Sequence, residues 1–283
     1  YQYAINDYIA VKEGYQKTIF EAMNYSVKAG GKRLRPLFMQ EICRLFTGEV
    51  QPVVVPFMAA IEMIHTSSLV HDDLPCMDND EYRRGNLTTW KKYGYDMAVL
   101  AGDKLFIYAF ETAAKAFALT DRADLVGKAI SILANKAGIY GMIGGQSVDV
   151  EYTDRPVTKS QLEFIYELKT AALLEAAMMI GAVLAGADDN QVKAAEQIAH
   201  HVGMAFQIRD DILDVISTTE ELGKPVKSDE KNNKTTYVTI YGLDGASKLV
   251  EEYSHTAMTL LDQVCPNASF LKRLFEYLIV RKK

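Results

Sequence analysis

Apolar residues recur at spacings of three and four along most of the chain, which is the period of an amphipathic α-helix rather than the alternation of a β-strand. The interruptions coincide with glycine and proline, which end helices. The pattern predicts an all-α protein with helices over residues 3–28, 37–46, 54–74, 96–118, 122–152, 159–186, 190–217, 235–242, 246–263 and 269–281.

Local signals support two of these boundaries. In "AGGKRLRP", Gly30 and Gly31 suit a helix C-terminus and Pro36 suits the first turn of the next helix. Thr158 and Gln161 form a capping-box pattern at the start of the 159–186 helix. Because no low-complexity linker or fixed-period repeat appears, we expect one helical domain over residues 1–283.

Composition narrows the class of protein. Hydrophobic residues make up 49% and charged residues 24%, which is enough apolar surface for a large core. The net charge of -6 argues against a nucleic-acid binder with a broad basic surface. Three widely separated cysteines indicate neither a disulfide framework nor a cysteine zinc site, so we expect a reducing, cytoplasmic environment.

Two observations concern the membrane and the N-terminus. The most apolar run, 176–187, is too short to cross a bilayer core of about 30 Å. Tyr1 begins no signal-peptide pattern, and the missing initiator methionine indicates that the first residues are absent. We therefore expect no membrane span.

The first acidic cluster is "LVHDDLPCMDND", with aspartates at positions 72, 73, 78 and 80. In a straight helix Asp72 and Asp78 would lie roughly 120° apart around the axis, so they converge only if the chain turns. Pro75 favours such a turn. The cluster is either a solvated acidic loop or a cation site, because carboxylates at a helix C-terminus meet the negative end of the helix dipole. His65, seven residues before Asp72, lies on nearly the same face.

The second acidic cluster is "FQIRDDILDV", which places Gln207, Asp210, Asp211 and Asp214 on one helix face. Alone it could be the solvent side of an amphipathic helix. Two such clusters suggest a common cause. Oxygen ligands without a Cys or His cage suit Mg²⁺, which commonly bridges carboxylates to substrate phosphates. The two clusters together therefore predict a diphosphate ligand.

Basic residues accompany the acidic clusters, as a diphosphate would require. "GGKRLRP" supplies Lys32, Arg33 and Arg35, and "EYRRGN" supplies Arg83 and Arg84. Arginine can grip phosphate oxygens with two parallel hydrogen bonds. Plain salt bridges to the aspartates are the alternative. Further candidates are Lys169 with Thr170, Lys224 and Lys234.

The combination resembles the trans-isoprenyl diphosphate synthases, or polyprenyl synthetases, over nearly the whole chain. The segments that carry the resemblance are "GGKRLRP", "HDDLPCMD", "RRG", "LAGDKL", "GGQSVD", "LKT", "FQIRDDILD", "LGKP" and "KTTY". The six-residue step from Asp72 to Asp78 is similar to the bacterial or plant form of the first motif. The sequence departs from the family at Trp90 and Lys104.

The resemblance implies the isoprenoid synthase fold, a single helical bundle around a central cavity, usually in a homodimer. It implies roughly three Mg²⁺ ions with diphosphate bound, held by Asp72, Asp78, Asp210 and Asp214, with Asp73 and Asp211 in support. The allylic diphosphate would be gripped by Arg83, Lys169 and Lys224. Isopentenyl diphosphate would be held by Lys32, Arg35, His65 and Arg84. The residues lining the reacting centre would be Thr170, Gln207 and Lys234.

The implied reaction is ionisation of dimethylallyl, geranyl or farnesyl diphosphate, attack by the isopentenyl double bond, and loss of a proton. Relatives often limit the product with an aromatic residue five positions before the first aspartate. That position is Ser67, followed by Ser68. Two small residues favour a geranylgeranyl product, but we expect either farnesyl or geranylgeranyl diphosphate. Phe106 or Phe110 could instead close the channel, or the serines could simply ease helix packing.

Three other functions compete with this interpretation. A terpene cyclase would lack "GGKRLRP" and the "RRG" pair, and both are present. A non-catalytic subunit should have lost an acidic motif, and this chain keeps both. A helical protein that only binds divalent ions would be indifferent to diphosphate.

Overall fold

The structure is a computed structural model that describes residues 8, 14–216 and 235–280. Its described part is almost entirely helical, so the all-α prediction is confirmed. The α-helices are α1 Lys17–Lys28, α2 Leu34–Thr47, α3 Val55–Asp72, α4 Thr89–Tyr93, α5 Tyr95–Ala114, α6 Ala123–Ala137, α7 Met142–Glu151, α8 Lys159–Ile165, α9 Ala172–Leu184, α10 Asp189–Ile216, α11 Tyr237–Val264 and α12 Ser269–Val280. The remaining elements are 3₁₀ turns at Pro52–Val54 and Lys115–Leu119, a π-helix at Tyr166–Ala171, and strands β1 Tyr82–Arg83 and β2 Asn86–Leu87.

The chain divides into two compact units, Tyr1–Ile130 and Ser131–Lys283. In the first, α3 is buried along most of its length and packs on α5, α2 and α1. In the second, α10 packs on α9 and α11, and its core contains Leu162, Ile165, Tyr166, Met204, Ala205, Ile208, Ile212, Tyr237, Ala246 and Val250. A single domain around a central cavity stays a prediction.

Helix α3 with its preceding turn, Pro52–Asp72, is long and apolar enough by length and composition to cross a membrane, with a mean hydropathy of 1.6. However, 78% of that window is buried inside the protein. A buried core helix of the first unit passes the same test of length and hydropathy. Helix α3 is therefore weak evidence for a membrane span.

The predicted continuous helix over 122–152 is wrong. Helix α6 ends at Ala137 and α7 begins at Met142. At Gly141 the backbone folds so tightly onto the preceding helix that a Cβ atom would lie 1.9 Å from the Lys136 carbonyl oxygen. Only glycine tolerates this approach. The helix therefore breaks at Gly141, although the apolar residues keep their helical spacing on both sides of the break.

Among the described residues, the predicted helix 3–28 begins only at Lys17, because residues 14–16 form a bend and a turn. Several other boundaries agree with the sequence patterns. The capping box at Thr158 and Gln161 is confirmed, because both reciprocal hydrogen bonds are present. The predicted break after residue 242 is also found, since Gly242 interrupts α11 with a φ of 71°. The short hairpin β1–β2 was not predicted. It follows the acidic loop and carries Arg83.

Candidate active site

The first acidic cluster forms a closed turn at the C-terminus of α3. The helix ends at Asp72, and the Asp78 N–H donates to the Asp72 carbonyl oxygen at 2.8 Å. Two further backbone bonds to the Leu74 carbonyl, from Met77 and Asn79, stabilise the turn around Pro75. The chain therefore turns after Leu74, as the position of Pro75 predicts, and brings the backbones of Asp72 and Asp78 together. Convergence of their carboxylates stays a prediction.

Asp73 is buried and pairs with Arg83. It is 3% exposed, and it accepts from Arg83 Nε at 2.8 Å and Nη2 at 2.6 Å. Burial raises the pKa of the Asp73 carboxyl, and the hydrogen bond from Arg83 opposes that shift. The Arg83 side chain thus forms the salt bridge of the alternative interpretation, while its role toward a diphosphate stays a prediction.

Among the basic residues of "GGKRLRP", Arg33 is held in a buried salt bridge. Arg33 is 5% exposed and donates to the carboxylate of Glu62 at 2.6 Å and to the Val27 carbonyl. Lys32 is exposed. The Arg84 guanidinium lies directly on Gly31, where a Cβ atom would be 2.8 Å from Nη1, and it donates to the Gly30 carbonyl. The "GG" and "RRG" segments therefore fit together through the missing side chain of Gly31.

Positive charge exceeds negative charge at this point in the first unit. Arg33, Arg35 and Arg84 lie close enough to influence one another. Glu62 offsets the charge of Arg35 and Arg84, and Asp73 also acts on Arg84. Burial lowers the pKa of Arg35 and Arg84, yet arginine's ordinary pKa is high enough that both stay charged. Within the described residues, the buried Nε of Arg35 has no acceptor. An anion would relieve this excess of donors and charge.

His65 is held neutral beside these arginines. Burial lowers its pKa well below the usual value, and the guanidinium groups of Arg35, Arg84, Arg33 and Arg83 lower it further. A neutral imidazole can donate one hydrogen bond to a phosphate oxygen without adding charge. This state suits the predicted role of His65.

Ser67 and Ser68 occupy different environments. Ser67 is 1% exposed, and its hydroxyl donates to the Gly102 carbonyl of α5 at 2.8 Å. The Ser68 hydroxyl donates to the His65 carbonyl of its own helix at 2.8 Å. The Ser67 contact is the one that the helix-packing alternative predicts. On α5, the rings of Phe106 and Phe110 lie 5.9 Å apart.

In the second unit, Lys169 and Thr170 lie on the π-helix between α8 and α9. Lys169 Nζ donates to Asp149 Oδ2 of α7 at 2.6 Å, and Thr170 Oγ1 donates to Gln207 Oε1 of α10 at 2.9 Å. A π-helix is rare, and it often marks a functional site. The structure thus pairs Thr170 with Gln207 and Lys169 with Asp149, while the roles that the resemblance implies for these residues stay predictions.

The three aspartates of α10 are not equivalent. Asp211 is 3% exposed, and its Oδ2 accepts from the Tyr166 hydroxyl at 2.7 Å and the Tyr237 N–H at 3.1 Å. It therefore ties α10 to the π-helix and to the start of α11, which fits a supporting role. Asp210 is half-buried and Asp214 is buried.

Two predicted site residues are not described by the structure, and the two residues that depart from the family pattern each have a partner. Lys224 and Lys234 lie outside the described residues. Trp90 donates its indole N–H to the Asp80 carbonyl at 2.8 Å, so it supports the acidic turn. Lys104 pairs with Glu111 on the exposed side of α5 at 3.2 Å.

Comparison with known proteins agrees with this geometry. A family model described as polyprenyl synthetase matches residues 16–266. The chain belongs to the polyprenyl synthetase family. It is 41% identical over 278 residues to the farnesyl diphosphate synthase of Geobacillus stearothermophilus, covering 98% of this chain and 93% of that protein. It is 44% identical over 260 residues to a chloroplastic geranylgeranyl pyrophosphate synthase of Capsicum annuum, covering 92% of this chain and 69% of that protein.

Solved structures give the same family. An apo FPP/GFPP synthase from Zymomonas mobilis superposes with a TM-score of 0.87 at 30% identity, covering 99% of this chain and 94% of that one. A geranyltransferase from Legionella pneumophila superposes with a TM-score of 0.85 at 29% identity, covering all of this chain and 94% of that one. The fold is therefore the all-α isoprenoid synthase fold.

The donor chemistry of a polyprenyl synthetase fits magnesium. Across the described residues, no three His, Cys, Asp or Glu side chains are grouped closely enough to hold a metal ion. Mg²⁺ usually takes one or two carboxylates and completes its shell with water and substrate phosphates. Asp72 and Asp78 stay predicted ligands, and a limited carboxylate set of this kind would suit Mg²⁺.

Three contacts of candidate site residues were not predicted from the sequence. They join Glu62 with Arg33, Asp149 with Lys169, and Tyr166 with Asp211. Glu62 had a signal, because it is a lone acidic residue within the apolar 54–70 run. Asp149 belongs to the quoted "GGQSVD" segment. Tyr166 gave no signal, since a tyrosine in an apolar helix is ordinary.

Proposed function

We propose that this chain is a short-chain trans-prenyltransferase that joins isopentenyl diphosphate to an allylic diphosphate in isoprenoid biosynthesis. The observation that carries the proposal is the closed turn at Asp72 and Asp78, together with an arginine cluster in which the buried Nε of Arg35 has no acceptor among the described residues. Carboxylates that hold a metal and cations that hold a diphosphate are the two requirements for ionising such a substrate. The named relatives act on the same substrate class.

The residues have distinct roles in this proposal. Arg35, Arg84, Lys32 and the neutral His65 bind isopentenyl diphosphate, while Lys169 and Arg83 bind the allylic diphosphate together with Lys224. Thr170, Gln207 and Lys234 line the reacting centre, and Asp73 and Asp211 fix the acidic motifs. Roughly three Mg²⁺ ions would be held by Asp72, Asp78, Asp210 and Asp214. When bound, magnesium stabilises the negative charge that develops on the departing diphosphate.

The first experiment measures the reaction directly. The chain is incubated with Mg²⁺, isopentenyl diphosphate and dimethylallyl, geranyl or farnesyl diphosphate, and the dephosphorylated products are separated by chromatography. We expect Asp72→Ala and Asp210→Ala each to lower turnover at least about a hundredfold, as loss of transition-state charge stabilisation does elsewhere. Asp121→Ala, in an exposed loop, is the matched control. Unchanged turnover in both variants of the acidic motifs would overturn the proposal.

A second experiment distinguishes catalysis from simple metal binding. Calorimetry with Mg²⁺ is carried out with and without a non-hydrolysable allylic diphosphate analogue. A prenyltransferase binds Mg²⁺ more tightly when the analogue is present, because the ion bridges carboxylates and phosphates. Equal affinity in both titrations favours a protein that only binds divalent ions.

We further infer that the chain forms a homodimer located in the cytoplasm. Leu100 and Ile107 lie seven residues apart on α5, on one face, and are 51% and 63% exposed. Exposed apolar residues on one helix face favour a contact with a second copy. Sedimentation should give twice the chain mass of 31.6 kDa, and Ile107→Glu should shift the sedimenting species to one chain.

The proposed cytoplasmic location has separate support. All three cysteines are free, which suits a reducing compartment.

A further inference from the structure

The π-helix Tyr166–Ala171 is contacted from two sides by glycines that leave no space for a side chain. A Cβ atom on Gly145 of α7 would lie 2.4 Å from the Lys169 backbone nitrogen. A Cβ atom on Gly203 of α10 would lie 2.7 Å from Cβ and 2.8 Å from Cα of Ala171. Because protein interiors are close-packed, neither site accepts a methyl group unless the π-helix or its neighbour moves.

Each glycine is followed one turn later by the residue that holds a π-helix side chain. Asp149 lies four residues after Gly145 and accepts from Lys169 at 2.6 Å. Gln207 lies four residues after Gly203 and accepts from Thr170 at 2.9 Å. Residues four apart share one helix face, so each flanking helix contacts the π-helix twice on the same side.

On each side of the π-helix, the glycine contact and the polar contact depend on the same distance between the π-helix and the flanking helix. An ordinary Cβ contact is 3.4 Å or longer, so an alanine at position 145 needs a separation about 1 Å larger than the present 2.4 Å. The Lys169–Asp149 bond cannot lengthen by that amount and remain a hydrogen bond, because such bonds weaken steeply beyond about 3.2 Å. The absence of a side chain at each glycine therefore sets the position of the polar pair beside it.

We infer that Gly145 and Gly203 are positioning residues, the first for Lys169 and the second for Thr170. The inference rests on the proposed function, in which Lys169 binds the allylic diphosphate and Thr170 lines the reacting centre. Gly145 acts through the Lys169 ammonium and so on allylic binding. Gly203 acts through the Thr170–Gln207 pair and so on the chemical step.

The test compares three glycine-to-alanine variants in steady-state kinetics. Gly145→Ala should raise the KM for the allylic diphosphate about tenfold, the loss expected when a phosphate-binding cation is displaced. Gly203→Ala should lower kcat by about a hundredfold, since a misplacement of roughly 1 Å in an active site costs about that much. The KM for isopentenyl diphosphate should stay unchanged in both, because the closest contacts of Gly145 and Gly203 include none of its proposed ligands.

Gly127→Ala is the matched control, because Gly127 is an exposed residue of α6 with open space around its Cα. It should leave kcat and both KM values unchanged. If Gly145→Ala and Gly203→Ala are folded by circular dichroism and their kinetics match those of Gly127→Ala, the inference is wrong. Inactivity of the unaltered chain with every starter would instead contradict the proposed function, so the two failures are distinguishable.

A double variant that adds a methyl group at position 203 and removes one at position 171 distinguishes a positioning role of Gly203 from a general loss of stability. Ala171→Gly in the Gly203→Ala background removes the Cβ that lies 2.7 Å from the new methyl, while the 2.8 Å contact with the Ala171 backbone remains. We expect partial recovery of kcat relative to Gly203→Ala alone, with Ala171→Gly as the reference. No recovery in a folded double variant would overturn the assignment of Gly203, even if Gly145→Ala failed to fold.

Discussion

At the scale of single residues, Arg33 and Glu62 show how the first unit uses buried charge. Their side chains are 3% and 2% exposed, and the two charged groups are 2.6 Å apart. Arg33 adopts a left-handed conformation with a φ of 50° at the start of α2, which directs it toward Glu62 and the Val27 carbonyl. The pair fixes the segment that carries Arg35.

We expect Glu62→Gln to lower the free energy of unfolding by about 3–5 kcal/mol, because removing one partner leaves a buried charge uncompensated. Urea denaturation measures the change. The matched control is Glu81→Gln, which removes one partner of the exposed Lys91–Glu81 pair, with side chains 39% and 52% exposed. There the loss should be at most about 1 kcal/mol. Equal losses in the two variants would contradict the role given to burial.

At the scale of elements, charged side chains connect three helices of the second unit. Lys136 of α6 pairs with Glu175 of α9 and, at 2.6 Å, with Glu196 of α10. His200 of α10 lies 3.1 Å from the other oxygen of Glu175. The hydrogen bond to Glu175 raises the pKa of His200, and burial and the Lys136 charge oppose the shift. Protonation of His200 balances the two carboxylates against two cations.

This pairing predicts a pH-dependent contribution to stability. A histidine whose folded pKa is raised stabilises the fold fully below its ordinary pKa of about 6.5, and that stabilisation is lost as the pH rises through the raised value. We expect His200→Gln to lower the free energy of unfolding by about 1 kcal/mol more at about pH 5.5 than at about pH 8.5. Thermal or urea unfolding at the two pH values measures this.

His255→Gln, at an exposed position of α11, serves as the control for that measurement. If His200→Gln lowers stability by the same amount at both pH values, the charge balance around Glu175 is not the source of the effect. In that case the neutral hydrogen bond alone accounts for it.

At the scale of the whole molecule, the length of the product depends on how much hydrocarbon the protein accommodates. Small residues at 67 and 68 favour the geranylgeranyl product, and that remains a prediction. The structure adds that Ser67 contacts the Gly102 carbonyl of α5 at 2.8 Å, where an aromatic ring would have to displace that helix. Ser68 is half-buried and bonded within its own helix.

We therefore expect Ser68→Phe to shift the product toward farnesyl diphosphate while the fold is retained. Ser67→Phe should lower the free energy of unfolding by about 1–3 kcal/mol through overpacking. Product chromatography and urea denaturation measure the two effects, and Ser68→Ala is the control for product length. A farnesyl end point in the unaltered chain would contradict the inference from Ser67.

The sequence by itself predicted those features that depend on neighbouring residues. Helical periodicity, the capping box at Thr158 and the turn at Pro75 are all local, because backbone hydrogen bonds and side-chain faces repeat over a few residues. The ordered motifs also identified the family. Helix 122–152 was wrong because glycine ends a helix without changing the apolar period around it.

Only the tertiary structure decided which distant side chains meet. The pairing of Arg33 with Glu62, the tyrosine contacts of Asp211 and the buried contact of Ser67 all join residues more than 25 positions apart. The π-helix at Lys169 likewise depends on Gly145 and Gly203 from other helices. Such contacts follow from how helices pack in three dimensions, and a pattern that repeats every few residues carries no information about that packing.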